Sequence, residues 1–262
     1  MLNCLRDLMR HTAGLGIEVI KVTGDNDKVS VEGMDTGKTV VLKGEFTKEL
    51  PELNGVFGLS QLEVLSKLVN VYKEAGDDLK IVRKEKEFSV QKTEDGELVF
   101  DSDGNPEYEK VREEIIDEFI FSRKSPKMVN PYRVLDRRMI PDQAKFGGAD
   151  WDIVIKPTKQ AIDLLATQAS FGVEEYFGVK TEGDVLYLTF GDQSSQAVIE
   201  FATDVKGTMT KPWLWNVSST LSILKFSENA ECTMSFLDKG ALQITLKTGL
   251  AEYNYIMPAK AR

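Results

Sequence analysis

The stretch that most constrains this 262-residue chain is its C-terminal ladder, Glu231 to Lys260. Cys232 to Phe236 alternates apolar and polar residues, and Lys239-Gly240 turns the chain. Leu242-Gln-Ile-Thr-Leu246 alternates again, Thr248-Gly249 turns it once more, and Ala251 to Met257 closes the set. Period-two alternation with Gly at the turns predicts an antiparallel meander with one wet and one buried face. Pro258 then removes a backbone donor and stops the ladder.

Earlier in the chain, Leu2 to Ala13 has the spacing of an amphipathic helix, with Leu5, Leu8, Met9 and Thr12 on one face and Arg6 and Arg10 on another. Gly14 and Gly16 end it. Strands are expected at 17–22, 29–31 and 39–42, with turns at Gly24–Asp27 and Asp35–Gly37. A second helix is expected from Leu59 to Tyr72, with Leu62, Leu65, Leu68, Val69 and Tyr72 inward and Glu63, Lys67, Asn70 and Lys73 wet. Strands from Leu79 to Phe100 turn at Glu94–Glu97, and Glu107 to Glu114 reads as a short acidic helix or excursion. Phe119-Ile-Phe121 resumes a strand.

The region 126–148, rich in Pro, Gly and Arg, is the expected interdomain linker. It separates residues 1–125, with an acidic insertion near 101–117, from residues 149–262. The second half repeats the plan. Trp151 to Ile155 is a strand, and Pro157 opens a helix running to about Ser170. Ala161, Ile162, Leu164, Leu165 and Ala169 are its core face, and Lys159 is on its wet face. Strands follow at 176–179, 185–190 and 197–201. A further helix is expected from Trp213 to Phe226, with Leu214, Val217, Leu221 and Leu224 inward and Lys225 outward, before the C-terminal ladder. Each half therefore runs helix, strands, helix, strands, and this shared order is an internal repeat.

The formal net charge is −9, but it is unevenly spread. Residues 77–118 carry 15 acids and 7 bases, leaving 27 acids and 26 bases elsewhere, while residues 119–145 carry 7 bases and 2 acids. An acidic total is compatible with a basic face if the charges segregate in space. Cys4 and Cys232 lie far apart, without metal-ligand spacing, and read as two buried thiols in a reducing compartment. The N-terminal apolar run is interrupted by Asn3, Arg6 and Asp7, and no apolar run has the length of a membrane span. A cytoplasmic location is expected.

The sequence offers little catalytic chemistry. Gly33 to Thr39 has three residues between its glycines where a phosphate loop needs four, and alternation follows it where a helix is required. Asp101 to Arg112 fails as a calcium loop, with Pro106 at the sixth position and Arg112 at the twelfth. His11 is the single histidine and has no partner at metal spacing. No cofactor and no metal are expected. Trp213 and Trp215 could stack a base, although two residues apart on a helix they face different sides.

Two passages carry a resemblance. The ending Tyr253-Asn-Tyr255-Ile-Met257-Pro258-Ala-Lys260 resembles the last strand and tail of DNA sliding clamps, the proliferating cell nuclear antigen family. Leu53-Asn-Gly-Val56 through Leu65-Ser-Lys67-Leu68 is similar to the second helix of the first clamp domain, including the clamps of tailed bacteriophages. The element order agrees along the whole chain. The resemblance implies an α+β fold of two similar domains, each with two helices packed on the concave side of curved antiparallel sheets. It implies a non-enzymatic processivity factor, a head-to-tail homotrimer that closes around duplex DNA and tethers a replicative polymerase after loading by an ATP-dependent clamp loader.

On that reading Arg6, Arg10, Lys67, Lys73, Lys159, Lys211 and Lys225 face DNA phosphates without reading bases. The resemblance places subunit edges at Glu118–Ser122, with Phe119 and Phe121, and at Val198–Phe201, with Val198, Ile199 and Phe201. It places a partner-peptide pocket at Tyr255, Met257 and Pro258 together with Leu135, Met139 and Ile140. Each lysine has an ordinary reading as a solvated helix residue, and each edge as a core strand. The rival functions are a β-rich module that binds single strands or another protein, and a metal-dependent hydrolase.

Overall fold

The computed structural model describes residues 1–25, 28–94, 97–142, 146–172, 174–191 and 196–261. The turns expected at Gly24–Asp27 and Glu94–Glu97, and part of the expected linker, run outside these residues.

Helix α1 (Leu2–Thr12) forms where the spacing predicts it, burying Leu5, Leu8, Met9 and Thr12 with Cys4 and His11. Four strands follow, β1 (Ile17–Asp25), β2 (Lys28–Asp35), β3 (Val41–Phe46) and β4 (Gly55–Ser60), then α2 (Leu62–Val71). A long antiparallel arm comes next, built from β5 (Asp77–Gln91), the small hairpin β6 (Thr93–Glu94) and β7 (Glu97–Leu98), and β8 (Tyr108–Arg123). The first half closes with β9 (Met128–Arg133) and the two-residue β10 (Leu135–Asp136).

The second half opens with β11 (Ile153–Ile155) and α3 (Lys159–Ser170). Then come β12 (Tyr176–Glu182), β13 (Val185–Phe190), β14 (Ala197–Ala202), β15 (Trp213–Asn216) and α4 (Val217–Leu224). The C-terminal ladder is β16 (Glu231–Leu237), β17 (Ala241–Lys247) and β18 (Ala251–Pro258), followed by β19 (Lys260–Ala261).

The sheet orders turn the internal repeat into geometry. One sheet runs β10-β4-β1-β2-β3-β18-β17-β16-β11, another β14-β13-β12-β15-β19, and a third β5-β8-β9. The first-half order β10-β4-β1-β2-β3 is matched in the second half by β19-β15-β12-β13-β14, and β5-β8-β9 is matched by β16-β17-β18. The two halves are joined where β3 pairs antiparallel with β18, from Phe46 opposite Ala251 to Val41 opposite Ile256. One contiguous apolar core runs through both halves, with the helix faces packed on the inward faces of the sheets.

Several sequence expectations need correction. Leu59 belongs to β4, so α2 starts three residues later than expected, at Leu62. Residues 107–114 are largely strand, because β8 pairs with β5 all the way to Tyr108 opposite Gln91. The helix expected from Trp213 is first a strand. Leu214 to Asn216 pairs with β12 and Trp213 with β19, and the helix starts only at Val217, where the Asn216 side chain caps the Ser219 N–H at 2.8 Å. Within the expected linker, 128–133 and 135–136 are strands. Pro131 is compatible with β9 because β9 lies at a sheet edge, where a missing donor need not break a ladder.

Candidate functional site

Six of the seven cations assigned to DNA are exposed: Arg10, Lys67, Lys73, Lys159, Lys211 and Lys225. Arg10 lies on α1, Lys67 on α2, Lys159 at the first turn of α3, and Lys225 just past α4. Helices α1 and α2 pack together, as do α3 and α4, so these cations sit on two helix pairs. Lys73 follows the end of α2. Lys211 is not on a helix. It precedes β15 in a loop held by the Asp238 carboxylate, which accepts from the backbone N–H of Thr210 and of Lys211 at 2.7 and 3.0 Å.

The Arg6 guanidinium is committed elsewhere. It donates to Val69 O at 3.1 and 2.9 Å, to Tyr72 O at 3.3 Å and to Asn3 Oδ1 at 2.8 Å. These carbonyls are acceptors that the end of α2 cannot satisfy internally, and a cation there also complements the helix dipole. Arg123 from β8 completes the cap, donating to Val71 O at 3.0 Å. It also holds the Asp77 carboxylate at 2.6 and 2.7 Å, and that hydrogen-bonded pairing pulls the Asp77 carboxyl down to about 2. The spacing of Arg6 and Arg10 gave no hint that the first of them caps a neighbouring helix.

The expected peptide pocket does not assemble from these residues. Tyr255 and Met257 point into the core and are 0% and 2% exposed. Leu135 pairs with β4, and a Cβ on Gly58 would meet both Leu135 and Ile140. Four strands separate β10 from β18, which puts the two groups five strand spacings apart, roughly 24 Å. Pro258 is exposed, and Met139 is exposed at the far end. Of the residues of β18 that face the opposite side from the core, Glu252, Asn254, Ile256 and Pro258, Ile256 is nevertheless buried. On that face Lys43 donates to Phe146 O at 2.9 Å, and Phe146 stacks on Trp151 with centroids 6.0 Å apart. Ile256 could have been found from the alternation of β18, since Tyr253, Tyr255 and Met257 take the core face.

The two expected subunit edges fare differently. Strand β8 is central in its sheet, paired with β5 on one side and β9 on the other, and Phe119 and Phe121 are fully buried. The stretch Glu118–Ser122 is therefore not an edge. The edges of that sheet are β5 and β9, and in β9 the exposed residues Val129, Pro131 and Arg133 alternate with Met128, Asn130 and Tyr132. Strand β14 lies at an edge of its sheet. It buries Phe201, half-buries Ile199 and exposes Val198 and Glu200. Val129 and Val198 are 52% and 46% exposed. Strand β9 escaped sequence reading because Met-Val-Asn-Pro-Tyr-Arg has no apolar alternation and contains a proline.

Among the described residues no three His, Cys, Asp or Glu side chains are grouped so that they could hold a metal ion, and no helix is long and apolar enough to cross a membrane. The Cys232 thiol is pushed up to about 12 by burial, which removes it as a nucleophile at neutral pH.

No family model matches the sequence, and no curated protein matches it. Solved structures do match the fold. The PCNA of A. fulgidus, bound to the C-terminal region of FEN-1, superposes with a TM-score of 0.68 at 8% identity, over 100% of this chain and 97% of that one. The PCNA2–PCNA3 complex of Sulfolobus tokodaii gives 0.66 at 11% identity, over 100% and 97%. The PCNA of Entamoeba histolytica gives 0.64 at 10% identity, over 99% and 96%. The chain is similar to these proteins in fold over its whole length, and that fold is the α+β architecture of PCNA-type clamps.

Proposed function

We propose that this chain is a sliding clamp, a non-enzymatic processivity factor that closes around duplex DNA as a head-to-tail homotrimer. The observation that carries this reading is the join between the halves. Strand β3, the outermost strand of the first-half order β10-β4-β1-β2-β3, pairs with β18, the last strand of the C-terminal ladder. The corresponding strands of the other pairing, β14 and β9, both lie at sheet edges. Pairing β14 of one copy with β9 of the next repeats the join already made inside the chain. Both edges are six residues long, as is β3.

Two different matching edges make a heterologous contact, and such contacts close into a ring when the rotation allows. The join would cover Val129 and Val198, each exposed on the outer face of its edge, and Arg133 on one edge would face the neighbourhood of Glu200 on the other. Six clamp units from three chains complete the circle.

In such a ring the helix pairs line the hole. Arg10, Lys67, Lys73, Lys159 and Lys225 then meet phosphates, diluted by Ser, Thr, Asn and Gln, with no bidentate base contact that would create a stopping point. Arg6 contributes charge while capping α2. The partners of this function are a replicative DNA polymerase and an ATP-dependent loader, in the cytoplasm, and the Leu53–Leu68 passage favours the tailed-bacteriophage type. A partner peptide would dock on the outer sheet face near Ile256 and Pro258, where the chain from Phe146 to Trp151 crosses.

The deciding experiment is solution mass by light scattering over a dilution series. One chain is 29.3 kDa, so a ring of three has a mass of about 88 kDa. A species that stays at one chain mass at high concentration overturns the ring and favours a monomeric binding module.

A further inference from the structure

Among the described residues, β11 is the one strand of the second half that has no counterpart in the first. It precedes α3 and lies antiparallel on the outer edge of β16, with Ile153 opposite Phe236 and Ile155 opposite Met234. Both isoleucines are buried and Val154 between them is exposed. Beneath this cover Met234, Ser235 and Phe236 are all buried.

Strand β5 holds the place after α2 that β16 holds after α4. Its inner edge is paired with β8, and its outer edge carries no strand among the described residues. Near the start of β5, Leu79 is buried but Ile81 and Val82 are only half-buried. The ring adds a second count. The sheet through the β3–β18 join has nine strands. The sheet through a β14–β9 join would have eight, five from β14-β13-β12-β15-β19 and three from β5-β8-β9. The missing ninth position is the outer edge of β5. That count rests on the ring reading, whereas the open edge is a property of the chain alone.

We propose that the outer edge of β5, along Leu79–Val82, takes an extended segment of a partner protein as an added antiparallel strand. Main-chain hydrogen bonds supply affinity in this mode of recognition, and alternate side chains supply specificity. The chain's own β11 shows the chemistry that fits: a short run with β-branched apolar residues at alternate positions, as in Ile153-Val-Ile155. Charge has little part in the choice, since 77–91 carries four acids and four bases. A second copy of the same edge is a poor occupant. Lys80 and Lys84 are exposed along β5, so two copies of this edge would set like charges against one another, which an apolar segment would not.

The test uses the full chain and, as probe, a peptide of this protein's residues 150–157, read by amide hydrogen exchange. The peptide is supplied free at ~1 mM and, in a second form, joined ahead of Met1 so that its local concentration is of that order. Amides of Leu79–Arg83 are expected to exchange at least about tenfold more slowly with the probe than with a version carrying Asp in place of both isoleucines. Ile81→Asp should abolish the slowing. Unchanged exchange in both forms overturns the proposal, as does equal slowing by the Asp-bearing control. Slowing that appears without peptide as protein concentration rises would make the occupant a second copy and would also overturn it. Light scattering on the same samples reports the ring independently, so loss of the ring and refusal of the strand are separate outcomes.

Discussion

The Tyr255 hydroxyl donates to the carbonyl oxygen of His11 at 2.9 Å and accepts from the Nδ1 of the same residue at 3.1 Å. One phenol on the last long strand thus serves both the backbone and the ring of a residue in the first helix. It also fixes the tautomer, because a hydroxyl already donating to the carbonyl leaves Nδ1 to carry the proton. The imidazole stacks on Tyr253 with centroids 4.4 Å apart, and the Tyr253 hydroxyl donates to Asp7 Oδ2 at 3.0 Å. Thr248 donates to the same oxygen at 2.8 Å. Burial, with the Asp7 charge, pushes both phenols up and keeps them protonated as donors. The first helix and the last strand are locked together by a buried polar network.

This network makes His11 acid-sensitive. Burial first, with Arg10 adding to it against the opposing pull of Asp7, lowers the imidazole to about 4 from 6.5. The unfolded chain therefore takes up the proton before the folded one. Stability from this group is complete above about pH 6.5, is lost as pH falls toward 4, and falls no further below that, for a total of about 3 kcal/mol. Denaturant midpoints measured from pH 7 to pH 4 should fall more steeply for the native chain than for His11→Gln. Parallel curves would remove His11 from the account. The Asp77 and Asp136 carboxyls, both at about 2, contribute their losses at lower pH, toward the end of this window and below it.

Tyr255→Phe keeps the ring and deletes the hydroxyl. It leaves the His11 carbonyl and the Nδ1–H unpaired in the core, so a loss of about 1–3 kcal/mol is expected in chemical denaturation. Tyr255→Ala adds a cavity at a fully buried position and should cost about 3–5 kcal/mol. Partner binding is therefore better probed at Pro258, which is exposed, than at Tyr255 or Met257. If Pro258→Ala weakens polymerase binding in pull-down while the melting temperature holds, the outer-face docking site stands. If binding is unchanged, it does not.

Some of this was legible in the sequence and some was not, for physical reasons. Helix α1 was readable because Leu5, Leu8, Met9 and Thr12 all enter the core, so burial wrote its period into the residue types. The C-terminal ladder was readable for the same reason at period two. The outer part of β8 was not, because Tyr108 to Glu114 lies on an arm largely in solvent, where charged residues satisfy a strand without alternating. The start of α4 is not legible, because Trp213 to Asn216 is apolar enough for either structure, and only the pairing with β12 and β19 decides. Edges are not visible in one sequence at all. Phe119 and Phe121 look like an interface strand, yet which strand is outermost depends on pairings made far along the chain.

The proposed subunit join gives a charge test. Glu200→Arg should weaken the ring by opposing Arg133 of the neighbouring copy, and Arg133→Glu should do the same. Combining the two restores opposite charges on the two edges and should restore the mass of about three chains by light scattering. If the single variants remain trimeric, or if the double variant fails to recover, β9 and β14 are not the edges that meet.

The proposed DNA face can be tested without damaging the fold. Arg6 is excluded, since removing it strips the cap from α2, and Arg6→Ala is expected to cost about 1–3 kcal/mol on its own. Arg10, Lys67, Lys73, Lys159 and Lys225 have exposed side chains, and none is a core residue. Reversing Arg10, Lys67 and Lys159 to Glu should leave the melting temperature and the ring mass close to native. If these residues meet phosphates through released counterions, every phosphate deprived of its cation lowers the slope of log affinity against log salt by roughly 0.9. Processive synthesis by a loaded clamp should drop accordingly, most strongly at higher salt. A triple variant with native processivity and native salt dependence would mean that the helix pairs do not face DNA, and that the exposed cations are ordinary solvated surface.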